Sequence, residues 1–287
     1  MIVGVHGIAQ QLRGPERLQQ EWLPALRDGM TFALGAPVSE VDFRIAFYGN
    51  LFRHRLAQPG GKSADSAAAV DLSELSASEV EDLLDAATEV VGAEELEVAA
   101  GSVDKGFPAL PGPLAVALRA LEARFGAAGA VLALGELRQV RRYLLDHELK
   151  ARVDGIVTAA MSESAGGARV LIGHSLGSVV AFEFARQHPD HPLELLVTLG
   201  SPLSLRMVRS RLSDSSPEIP VGVKSWVNVR DPKDSVALGG DLTGFWPGVV
   251  DRHVDNGRRD PHSVAAYLSD VETGKPIMNA LANLNAI

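Results

Sequence analysis

Residues 168–187 constrain this chain more than any other stretch. Arg169-Val170-Leu171-Ile172 is an apolar run of strand type, Gly173-His174-Ser175-Leu176-Gly177 is a tight turn, and Ser178 to Gln187 carries a helical pattern. A serine raised on a sharp strand-to-helix turn has a strained backbone, and side chains two residues to either side would collide with it. Glycine at both flanks removes that collision. The residue after the serine opens a helix, where its amide has no intrahelical acceptor and can hold a developing oxyanion; Leu176 supplies that donor. The five-residue string alone has modest specificity, so the strand before it and the helix after it give it meaning.

The rest of the chain fits the same alternation. Ile2 to Val5 is an apolar run that stops at His6-Gly7, and after Pro15 the residues Leu18, Trp22, Leu26 and Met30 recur at helical spacing. Further strand candidates are Val41 to Tyr48, Leu193 to Leu199, Lys224 to Val229 and Val249 to Val254. Strands alternating with helices predict an α/β fold with a parallel sheet. Glu136 to Ser162 reads as one long helix, and His262 to Leu284 as a terminal helix with Asp260 as its cap and Pro261 in its first turn.

Residues 51–135 change character. They hold the loop Gln58 to Ser63, an acidic helix over Leu72 to Val91 that opens with the capping pattern Ser76-x-x-Glu79, a Pro/Gly-rich stretch from Phe107 to Pro113, and a helix from Leu114 to Arg124. The expected organisation is a core of residues 1–50 and 136–287 with a helical cap insertion at 51–135. The acidic residues Glu79, Glu81 and Asp82 read as a solvated face. Leu114 to Leu134 either lines an apolar pocket or packs the insertion onto the core.

Composition excludes several classes of function. With 287 residues, 46% of them hydrophobic, the chain can bury a large core, and a net charge of −9 argues against a nucleic-acid surface or a strongly anionic membrane as partner. The absence of cysteine excludes disulfides, thiol nucleophiles and thiolate-bound metals. Ala127 to Leu134, the longest apolar stretch, is too short to span a bilayer, and Met1 to Val5 carries no basic leader, so a cytoplasmic location is expected. His188 and His191 flank prolines with no third ligand nearby and read as turn residues; no phosphate loop or dinucleotide fingerprint is present. No cofactor and no metal are expected.

A serine hydroxyl needs a base to take its proton and an acid to orient that base. Asp231 and Asp234 both follow the strand candidate at 224–229. Asp231 precedes a proline, where aspartate often caps its own turn, so Asp234 is preferred and Asp231 kept as the alternative acid. For the base, His262 stands at the mouth of the last helix, whose dipole favours a neutral ring; His253 lies inside a strand-like run and reads as a sheet-edge histidine.

In the order Ser175, Asp234, His262, with Val5-His6-Gly7 and Leu199-Gly200-Ser201-Pro202, the chain resembles the α/β-hydrolase superfamily, and within it the bacterial lipase and serine-esterase group. That resemblance implies a mostly parallel sheet of about six strands lacking the N-terminal hairpin of the complete fold, flanked by helices. It also implies a second oxyanion donor at the Ile8 amide, in preference to Gly7, with His6 bracing the loop. The activity it implies is cleavage of a carboxylic ester through an acyl-enzyme, on a small-molecule or acyl-ester substrate, without nucleic acid or integral membrane association. Acyltransferases and thioesterases use the same three residues, and a catalytically inactive binding module is the reading from another class.

Overall fold

A computed structural model describes residues 1–7, 10, 13–52, 75–101, 112–163, 167–237 and 239–285. Its strands are β1 (Ile2–Val5), β2 (Phe43–Ala46), β3 (Val170–His174), β4 (Leu195–Leu199), β5 (Trp226–Arg230) and β6 (Val249–His253). They form one six-stranded sheet in the order β2-β1-β3-β4-β5-β6, with every pairing parallel. Every residue of β1, β3 and β4 is buried, as expected of parallel strands covered on both faces.

The covering helices are α1 (Pro15–Leu34), α2 (Ala77–Gly101), α3 (Gly112–Leu145), α4 (His147–Ser162), α5 (Leu176–Gln187), α6 (Arg206–Arg209), α7 (Val264–Ser269) and α8 (Val271–Asn285). On one face, Trp22 and Leu26 of α1 with Tyr267 and Ile277 of α7 and α8 pack on Ile2, Ile172 and Val197. On the other face a larger core joins Val3, Val5 and Leu171 to α2, α3, α4 and α5 through Leu83, Leu118, Leu137, Val153 and Phe182. Leu114, Leu118, Leu121 and Leu134 belong to that core, while Leu132 lines the cavity described below.

Strand order sets the place of the site. The chain leaves β1 towards β2 on one side and later adds β3 on the other, so a crevice opens above the carboxyl ends of β1 and β3. Gly7 and Ser175 stand there, each just past its strand.

Several elements differ from expectation. The helix expected over 136–162 is divided at Asp146, whose side chain accepts from the Leu149 amide at 3.0 Å and caps α4, so 136–145 belongs instead to α3. The terminal helix begins at Val264 with Ser263 as its cap, in place of Asp260, and breaks at Asp270, which has extended backbone angles. Two long helices change direction at glycines of positive φ, α2 at Gly92 and α3 at Gly126. The capping box before α2 forms as expected: the Ser76 amide donates to Glu79 at 3.0 Å and the Glu79 amide to Ser76 Oγ at 3.3 Å.

On the acidic face of α2, Glu81 is exposed as expected, but Glu79 and Asp82 belong to an ion-paired seam. Glu79 meets Arg138 at 3.3 Å, Asp82 meets Arg141 at 2.6 Å and Arg211 at 2.5 Å, and Asp85 meets Arg206 at 2.9 Å. Acids three residues apart share one side of the helix, and the arginines reach them from α3 and from residues 206–211.

Candidate active site

Ser175 has φ 60° and ψ −128°, and it is the one non-glycine residue at positive φ among the described residues. Such strain persists only when the surroundings fix it. The Ser175 amide donates to the Leu199 carbonyl at 3.0 Å, and Ser178 Oγ lies 2.6 Å from both the Ser175 carbonyl and Ser201 Oγ. Ser201 Oγ in turn accepts from the Leu203 amide at 3.2 Å, which ties the Gly200-Ser201-Pro202 loop to the elbow. Gly7 closes the other side: a Cβ there would stand 2.7 Å from Ser175 Cβ. Leu176 opens α5 as expected, and Ile8 lies outside the described residues.

His6 is held as a neutral ring. Its Nδ1 donates to the Gly7 carbonyl at 2.7 Å, its Nε2 accepts from the Tyr48 amide at 3.1 Å, and burial lowers its pKa to about 4. It joins the loop after β1 to the loop after β2.

The structure brings Asp234 to His262, and not Asp231. His262 Nδ1 donates to Asp234, with its two oxygens at 2.9 and 2.8 Å, and Asp234 also accepts from Tyr267 Oη and the Val236 amide, each at 2.8 Å. Burial alone would raise the Asp234 pKa, but the His262 charge and these donors hold it below the usual carboxylate value. The Asp231 carboxylate accepts from the Lys233 amide at 2.8 Å and the Asn256 amide at 2.7 Å, so it braces its own turn and the loop after β6. Gly200 fits against the pair: a Cβ there would lie 2.7 Å from Asp234 Oδ2 and 3.2 Å from His262 Nδ1. His253 sits on β6, the edge strand, 2.7 Å from Asp241.

Glu136 is the residue that sequence reasoning placed only as the start of a helix. It projects from α3, is 1% exposed, and its Oε1 accepts the hydroxyl of Ser175 in a short hydrogen bond. The same oxygen is 3.7 Å from His262 Nε2, and neither that nitrogen nor Glu136 Oε2 has a hydrogen-bond partner. A signal did exist: Glu136 continues the stripe of Leu132 and Val140 at helical spacing, where a carboxylate is out of place unless something holds it.

The charge on His262 departs from expectation. Burial lowers its pKa, yet the nearby Asp234 and Glu136 carboxylates outweigh that and push it up to about 10, so the ring is an imidazolium at neutral pH. The helix dipole, expected to keep it neutral, is overridden by two carboxylates. His174 stacks beside it at 4.5 Å between ring centroids and donates from Nε2 to the His262 carbonyl at 3.0 Å; burial and the His262 charge lower its pKa to about 3.

A cavity of about 210 Å³ opens over these groups, lined by His6, Gly7, Trp22, Leu132, Glu136 and His262 among others. Among the described residues no cluster of His, Asp and Glu has the makings of a metal site, and no helix is long and apolar enough to cross a membrane.

These histidines predict how stability varies with pH. His6 and His174 are neutral when folded but take up protons when unfolded, so stability falls as pH drops from about 6.5 through 4 and 3. His262 is protonated when folded, so its contribution is complete below about 6.5 and is lost as pH rises through 10. Denaturant midpoints measured across pH 3 to 10 are expected to peak near pH 6.5; a monotonic rise with pH would contradict these assignments.

No protein-family model, no curated protein and no solved structure matched the chain.

Proposed function

We propose that this chain is a serine hydrolase of the α/β-hydrolase type that cleaves carboxylic esters through an acyl-enzyme. The observation that carries the reading is the buried Asp234–His262 pair beside a strained, elbow-mounted Ser175, the two linked by Glu136 Oε1. Two groups on loops past β5 and β6 converge on one past β3, and Glu136 Oε1 lies within reach of both Ser175 and His262.

In this mechanism His262 first gives up its Nε2 proton to solvent, and Ser175 Oγ then attacks the ester carbonyl carbon while its own proton passes to that nitrogen. The negative charge that develops on the carbonyl oxygen is held by the Leu176 amide, with the Ile8 amide as the second donor that the family resemblance implies. As the tetrahedral species collapses, the imidazolium gives its proton to the departing alkoxide and the alcohol leaves. Water then attacks the acyl carbon, loses its proton to His262, and releases the carboxylic acid with Ser175 restored. Asp234 holds Nδ1 as the donor throughout, which leaves Nε2 facing the reaction; Tyr267 fixes the carboxylate.

The bond from Ser175 to Glu136 favours a second reading, in which the serine is engaged by α3 and the fold serves as a binding module. p-Nitrophenyl acetate separates the two. The hydrolase reading expects steady release of nitrophenol and one acetyl group trapped on Ser175 after acid quench, whereas a folded chain that neither turns over nor acquires an acetyl group would be a binding module. Addition of alcohol or thiol acceptors to the same assay distinguishes hydrolysis from acyl transfer.

A further inference from the structure

In the arrangement seen here the catalytic groups of the proposed hydrolase cannot begin the reaction. The Ser175 proton is directed at Glu136 Oε1 and not at His262 Nε2, and the two atoms that should exchange it, Ser175 Oγ and His262 Nε2, share no hydrogen bond. The carboxylate stands against the serine hydroxyl and 3.7 Å from the base, which is where the acid released from an acyl-enzyme would rest.

We propose that Glu136 is a built-in product analogue: its carboxylate occupies the product-acid position on Ser175 and holds the enzyme in a self-inhibited state until the second half of α3 moves. This rests on the hydrolase reading above.

Three further observations support it. Glu136 Oε2 and His262 Nε2 are buried without hydrogen-bond partners, so the closed arrangement carries a desolvation cost that its opening relieves. The helix that carries Glu136 is broken ten residues earlier at Gly126 (φ 78°, ψ 164°), a backbone state suited to glycine, with open space around it. Leu132, one turn before Glu136, lines the same cavity, so withdrawal of this segment would enlarge the pocket beside Ser175.

The plug also sets a pH signature. The groups facing His262 are Asp234 from the loop after β5, Tyr267 from α7, His174 from the end of β3 and Glu136 from α3, while Arg13, Glu21, Asp260 and His6 line the cavity around them. Of the two carboxylates that hold His262 protonated, removal of Glu136 leaves Asp234 alone, so the base becomes neutral at lower pH.

The test compares the parent, Glu136→Gln and Glu136→Ala for the rate at which an alkyl fluorophosphonate labels Ser175, from pH 6 to 10. Melting curves check that both variants fold. They should label at least about tenfold faster than the parent at pH 7, with a midpoint shifted to lower pH, and the advantage should shrink towards pH 10. Variants that label at the parent's rate, or more slowly with an unshifted midpoint, would overturn the plug and, if slower, make Glu136 a contributor to the chemistry. Failure of the parent and both folded variants to label at all would overturn the hydrolase reading itself, and the plug with it.

Discussion

Replacement of Ser175 by alanine is expected to lower ester turnover by about 10⁴- to 10⁶-fold, to a residual rate carried by the remaining groups. In the proposed mechanism the hydroxyl is the group that forms the acyl bond, and no cysteine exists in the chain to replace it. The same change removes the bond to Glu136, worth about 1–3 kcal/mol, so the variant should melt earlier but remain folded. His262→Ala should cost about as much, and the double variant no more than either single one, because the two residues act in one proton transfer. Steady-state hydrolysis of p-nitrophenyl acetate by the purified single and double variants checks this. Additive losses would mean that Ser175 and His262 do not work together.

Gly177→Ala is expected to have the largest effect on the fold. A Cβ at that position would stand 2.0 Å from the Val5 carbonyl oxygen and 2.7 Å from that of His6, so α5 would have to back away from the end of β1. Both neighbours are backbone in the middle of the sheet, where no side chain can swing aside. The loss should exceed about 4 kcal/mol, a large part of the stability of a single domain, and show as insoluble expression or a collapsed denaturant midpoint. Gly126→Ala serves as the contrast, since no atom lies within 4 Å of its Cβ and only its glycine-type backbone angles oppose it, at a cost of about 1–3 kcal/mol. A soluble, normally stable Gly177→Ala would show that α5 does not rest on β1 as described.

The elbow was legible because its chemistry is local: Gly173, Ser175 and Gly177 meet within one turn, and the strand and helix around them carry their own periodicities. The central strands β1, β3 and β4 were legible for the same reason, each a short apolar run ended by glycine or a polar turn. Asp234 could be set against Asp231 by turn chemistry, since an aspartate before proline satisfies its own loop, and the geometry places the two residues accordingly. What sequence could not show depended on contacts between distant segments. The apolar stripe runs through Asp146 unbroken, so only its side-chain cap reveals that α3 ends there. The arginines that face α2 come from residues more than fifty positions away, which made an ion-paired seam look like a solvated face. Glu136 meets Ser175 across 39 positions, a contact unforeseen from the pattern, and it adds to Asp234 in raising the pKa of His262.

Mapping the residue modified by a fluorophosphonate tests the central claim most directly. The account predicts one label per folded chain, located on Ser175 by peptide mass analysis and abolished by His262→Ala. Failure of the folded parent, Glu136→Gln and Glu136→Ala alike to take a label at any pH from 6 to 10, or labelling on a residue other than Ser175, would contradict the assignment of Ser175, His262 and Asp234 as one catalytic unit.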